Sequence, residues 1–138
     1  MCSSRRLPVL VFLMMFFLIS VDSAYANKSF KQKGYLKDAA KNRVFTVLMM
    51  RDVSKSEVLY FASRKPNTVG QLTAVYFYEP GSIMPVDGIT FAKTVFEANS
   101  ILYDTKGLSA WRYVFMKYLN GNEVLVDCVI DSGNDLCR

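Results

Sequence analysis

Chemistry in this chain would have to rest on carboxylates, serines, lysines and cysteines, because its 138 residues include no histidine. Ser-His-Asp and Cys-His catalysis, imidazole general-base chemistry and His-containing zinc sites are therefore excluded. Four carboxylates occupy the central region: Glu79, Asp87, Glu97 and Asp104. Singly or as a pair, such groups can hydrolyse a glycan when a cleft raises one pKa, but spacing reveals neither cleft nor shift. Ser-x-x-Lys, Gly-x-Ser-x-Gly, the phosphate loop, the dinucleotide fingerprint and calcium-loop spacing are all absent. The expectation is a protein that is not an enzyme, with no catalytic residue, no cofactor and no metal.

The cysteines carry a different chemistry, and the first segment decides it. Arg5 and Arg6 precede an almost wholly apolar run from Leu7 to Val21, and Ala24-Tyr25-Ala26 places small residues where a signal peptidase reads. The run is short for a membrane-spanning helix, which needs about 20 residues. Residues 1–26 thus read as a signal peptide cleaved after Ala26, which implies a periplasmic or secreted protein. Cleavage removes Cys2 and leaves Cys128 and Cys137, an even pair in an exported chain and so an expected disulfide. Redox motifs use Cys-x-x-Cys; the wider spacing here points to a structural bridge.

These groups need elements to position them. Residues 27–43 read as a basic arm, its start mobile, with a short helix over 35–42 as an option. Residues 44–138 read as one α+β domain. Val44 to Met50 is an apolar, β-forming run that suits a buried strand. Ser54-Lys55-Ser56-Glu57 has capping-box spacing, Val58, Leu59 and Ala62 share a face of the helix that follows, and Pro66 stops it. Gln71 to Glu79 alternates like a strand and ends at the Pro80-Gly81 turn. Thr90 to Tyr103 has helical spacing.

Asn120-Gly121 suits a two-residue hairpin turn between Trp111–Leu119 and Asn122–Ile130. That register puts Trp111, Tyr113 and Phe115 on one face with Val124, Val126, Cys128 and Ile130. Arg112, Met116, Tyr118, Glu123, Leu125 and Asp127 fall on the other. The expected fold is a small, mainly antiparallel four-stranded sheet in the order β-α-β-α-β-β. Two helices, or three with the arm's, cover one face.

Charge is uneven along the chain. Residues 27–66 carry 10 basic and 3 acidic side chains, whereas residues 67–138 carry 5 basic and 8 acidic. Lys28, Lys31, Lys33 and Lys37 could meet an anionic lipid, a cell-wall polymer or an acidic partner. Export and the lack of a recognisable module argue against nucleic acid. Rings on both faces of the Val75–Tyr78 strand suggest an aromatic patch, with Tyr76, Tyr78 and Tyr118 as partner-binding residues. The leading functional expectation is a non-catalytic envelope protein that acts by protein–protein contact. It would be an accessory subunit of a secretion, conjugation or adhesion assembly, or an inhibitor or immunity protein. The alternatives are a carboxylate-dependent cell-wall glycan hydrolase and a small-ligand or lipid binder.

Overall fold

The computed structural model describes residues 28–138. The signal-peptide assignment to residues 1–26 and its cleavage point lie outside the described residues. Eight elements follow in order: β1 (Phe30–Lys37), β2 (Arg43–Met49), α1 (Lys55–Ser63), β3 (Thr73–Tyr78), α2 (Val86–Phe91), α3 (Val95–Asp104), β4 (Tyr113–Lys117) and β5 (Glu123–Asp127). The α+β class expected from the sequence is present. The sheet has five strands rather than four, ordered β1-β2-β3-β4-β5, and it is mixed: β2 and β3 run parallel while the other three pairs are antiparallel.

The fifth strand comes from the basic arm. Phe30 to Lys37 pairs with β2 along the sheet edge, in place of the short helix expected over 35–42. Phe30 and Leu36 are buried, which is enough apolar anchoring to hold an otherwise polar strand against a central one. Lys33 sits where the register shifts between Gln32 and Gly34, a bulge in the edge strand.

The parallel pair follows from α1. Its N-terminus has the capping box read from the sequence: the Ser54 hydroxyl accepts from the Glu57 amide at 3.3 Å, and Glu57 Oε2 accepts from the Ser54 amide at 2.8 Å. The helix carries the chain back so that β3 starts beside the start of β2, which is the connection that parallel neighbours require. Val58 and Ala62 are buried by this crossover, but Leu59 remains exposed.

Helices cover both faces of the sheet, not one. α1 packs with Phe30, Phe45, Val47, Met49, Val75, Phe77, Tyr113 and Phe115 on one side. α2 and α3 pack on the other with Leu36, Val44, Ala74, Tyr76, Tyr78, Val114, Met116 and Val126. All six residues of β3 are buried as a result, and such two-sided burial is what a strand in a parallel pair experiences. Gly34 permits the close approach of α2. A Cβ there would stand 2.6 Å from Thr46 Oγ1 and 2.7 Å from Ile89 Cδ1.

The single helix expected over 90–103 is two. Ala92 and Thr94 are extended, and the Thr94 hydroxyl caps α3 by accepting from the Glu97 amide at 3.1 Å. The Thr94-Val95-Phe96-Glu97 spacing was the sequence sign of this break.

The hairpin register also differs from the expected one. Tyr113 pairs with Asp127, Phe115 with Leu125 and Lys117 with Glu123, one residue away from the two-residue-turn register. The loop has three residues, Leu119-Asn120-Gly121, with Gly121 at φ +86° and its amide donating to the Tyr118 carbonyl. This is the alternative short hairpin loop, which ends with a left-handed glycine. Tyr113 and Phe115 therefore share a face with Leu125 and Asp127, and Val114 and Met116 share the other with Val124 and Val126. Both faces are covered, so either register would have buried apolar side chains, and the hydrophobic pattern alone did not choose between them.

Candidate partner-binding surface

The disulfide expected from the sequence is formed: Cys128, just after β5, bonds to Cys137. The loop it closes lies over the aromatic part of the core. The Leu136 carbonyl accepts from Trp111 Nε1 at 3.1 Å and from the Tyr103 hydroxyl at 3.2 Å. Arg138 donates to the carbonyls of Leu102 and Thr105, so the last residue satisfies main-chain acceptors that the end of α3 leaves open. Asp127 holds the start of the loop. Its carboxylate accepts from Arg112 at 3.0 Å and from the amides of Val129 and Ile130.

The residues expected to bind a partner do not form one surface. Tyr76 and Tyr78 are in the core, at 1% and 0% exposure, because α2 and α3 cover the face from which they project. Tyr76 packs edge-on against Trp111 with centroids 4.7 Å apart and donates to Asn99 Oδ1 at 3.2 Å. Burial pushes the hydroxyls of both tyrosines well above their ordinary pKa. Neither ring reaches the surface in this fold, so the exposed aromatic patch expected on this strand is covered by α2 and α3. Tyr118 is half-exposed beyond the end of β4.

Lys28, Lys31 and Lys37 are exposed and Lys33 is partly so, the last three on β1. β1 is one edge of the sheet and β5 is the other, separated by about 19 Å across four strand spacings. Lysines and a bulge are the features by which edge strands avoid pairing with other chains. The β1 edge is blunted in this way.

The β5 edge is different. Between Tyr118 and Cys137 the chain has four acidic residues, Glu123, Asp127, Asp131 and Asp135, and no basic one. Hydrogen bonds from the Tyr118 amide to the Asn122 carbonyl and from the Cys128 amide to the Arg112 carbonyl fix the phase of the hairpin. The main-chain groups of Val124 and Val126 therefore turn inward to β4, and those of Glu123 and Leu125 turn outward. A groove runs along each face of this edge. On the α1 face, about 590 Å³ is lined by Lys55, Ser56, Leu59, Glu123, Val124 and Leu125. On the disulfide-loop face, about 610 Å³ is bordered by Tyr118, Val124, Val126, Asp131, Asp135 and Leu136, among others. Sequence reasoning singled out only Tyr118 here. Edge position is a property of the assembled sheet.

The carboxylates weighed for catalysis are dispersed. Glu79 follows β3 and lies 3.7 Å from Arg112 in a crevice of about 340 Å³ that Arg51, Asp52 and Tyr113 also line. Glu97 accepts from the Lys93 amide at the start of α3, and Asp104 accepts from Ser100 at its end. Seven residues of helix separate those two, a rise of about 10 Å. Asp87 is exposed in α2. Among the described residues, no group of three or more Cys, Asp or Glu side chains could hold a metal ion.

No protein-family model matches the chain, and no curated protein or solved structure matches it.

Proposed function

We propose that this is an exported, non-catalytic protein of the cell envelope that acts by contact with another protein. It serves as an accessory subunit of a secretion, conjugation or adhesion assembly, or as an inhibitor or immunity protein. The β5 edge carries this reading: a sheet margin with outward main-chain groups at Glu123 and Leu125 and a groove on each face. Exposed strand edges are sites at which another chain adds to a sheet. The leader at residues 1–26 and the Cys128–Cys137 bridge suit a periplasmic or secreted destination, with cleavage after Ala26. The basic residues of β1, on the opposite margin, remain available to an anionic surface.

Cross-linking in intact cells, followed by purification of the chain and identification of what is bound, tests the reading. A defined protein partner, recovered reproducibly and lost when the cross-linker is omitted, is the expected result. Recovery of the bare monomer under conditions that capture known envelope complexes would remove it.

A further inference from the structure

We propose that β5 is a strand-addition site for an extended segment of a partner protein whose side chains alternate between apolar and basic. This inference rests on the contact reading above and names the chemistry of the segment. Leu125 presents its amide and carbonyl outward, and Glu123 does the same two residues earlier. An added strand opposite Leu125 exchanges hydrogen bonds with these groups in the ordinary sheet pattern.

The two grooves then read alternate residues of that strand, because successive side chains point to opposite faces. On the α1 face the added side chain meets Leu59 and Leu125, both apolar, in a groove whose charged members Lys55 and Glu123 are of opposite sign. Lys117 holds Glu123 at 2.8 Å, so that carboxylate is already paired. An apolar residue fits there. On the other face, its neighbours in sequence meet Tyr118, Asp131 and Asp135. Asp127 is satisfied by Arg112, and Arg138 is occupied at the end of α3. Asp131 and Asp135 have no cation among the ion pairs of the described residues. A basic residue fits there.

The same charge excludes the simplest competing occupant. A second copy adding its own β5 across a two-fold axis would bring two such margins together, each with Asp131 and Asp135 outside the ion pairs that hold Glu123 and Asp127, and would offer no basic residue to either. The blunted β1 edge of a second copy fits no better, since its bulge at Lys33 interrupts regular pairing.

Three capped synthetic octapeptides serve as probes for the oxidised protein: alternating (Lys-Val)4, alternating (Glu-Val)4, and a block peptide of four lysines followed by four valines. The alternating basic peptide should bind and slow hydrogen exchange at the Leu125 amide at least tenfold, while the other two do neither. Leu125→Pro deletes an outward amide and leaves the inward ladder of β5 intact, so it should abolish binding. If that variant fails to fold, Asp131→Asn with Asp135→Asn keeps the test alive and should weaken (Lys-Val)4 binding about fivefold. Equal binding of the block peptide, or no protection at Leu125 with (Lys-Val)4 in millimolar excess, overturns the proposal. Cellular cross-links separate the two levels of inference. A protein partner attached only at sites away from β5 retains the contact reading and defeats this one, whereas absence of any partner defeats the contact reading itself.

Discussion

Trp111 donates its indole N–H to the main-chain carbonyl of Leu136, which stands one residue before the cysteine that closes the C-terminal loop. Tyr103 donates to the same oxygen. A bridge at the chain end thereby holds an acceptor over two aromatic side chains whose polar atoms would otherwise have to find water.

Replacing Cys128 and Cys137 with serine should remove about 2.7 kcal/mol of stability, the loop-entropy value for a ring of about ten residues. Denaturant unfolding measures this directly. The emission of the only tryptophan in the chain, Trp111, should shift to longer wavelength in the folded variant as the loop leaves. Unshifted emission would mean that the loop stays in place without its bridge.

Gly34→Ala should cost about 2 kcal/mol, since the new methyl group meets Thr46 and Ile89 well inside contact distance. Ile89→Val removes the Cδ1 methyl and alone should cost about 1 kcal/mol. Combined, the two should destabilise by less than the sum, because the second removes one of the three atoms that the new methyl group meets. Strict additivity in the double-mutant cycle would show that α2 adjusts by another route.

The acid limb of stability should contain a contribution from Glu57. The Ser54 amide, then Arg51 and the Ser54 hydroxyl, lower its pKa from 4.5 to about 2. A carboxylate whose folded pKa is depressed stabilises the protein above its unfolded pKa, and the effect is lost as pH falls through the folded value. Wild type should therefore exceed Glu57→Gln in melting temperature near pH 6, with the gap closing between about pH 4.5 and 2. The gap should correspond to about 1 kcal/mol at most, since both partners are solvent-exposed.

At alkaline pH the sign reverses. The pKa values of Tyr76 and Tyr78 are raised by burial, so the folded state holds their protons more tightly than the unfolded chain does. Their contribution is complete below the ordinary tyrosine pKa of 10 and is lost as pH rises above it. Phenolate absorbance should include a late cooperative step that coincides with loss of the near-ultraviolet circular dichroism. A single smooth titration with structure retained would contradict the burial of these two rings.

Purified oxidised protein should release no soluble sugar from peptidoglycan, because the carboxylates that could share the work are dispersed over the turn after β3 and both ends of α3. Release that Glu79→Gln abolishes, with the melting temperature unchanged, would instead establish the hydrolase alternative.

Local signals in the chain were legible wherever one short segment contains both partners of an interaction. The Ser54–Glu57 cap, the strand at β3 and the pairing of the two late cysteines are of this kind, and each is present. The break between α2 and α3 was equally local, and Thr94 with Glu97 signalled it. Phe30 and Leu36 were legible as apolar but not as strand anchors, since four lysines among their neighbours dominated the composition.

Residue types and spacing determined, by themselves, the α+β class, the exclusion of histidine chemistry and the identity of the bridged cysteines. Tertiary structure decided which strands lie at the margins, which faces the helices cover and which hairpin register is used. The reason is physical: an edge, a covered face and a register are relations between segments distant in sequence, and alternation within one segment is satisfied equally well by several of them. That is why Tyr76 and Tyr78, outward in a sheet covered on one side, are core in this one, and why Leu125 stands at the open edge.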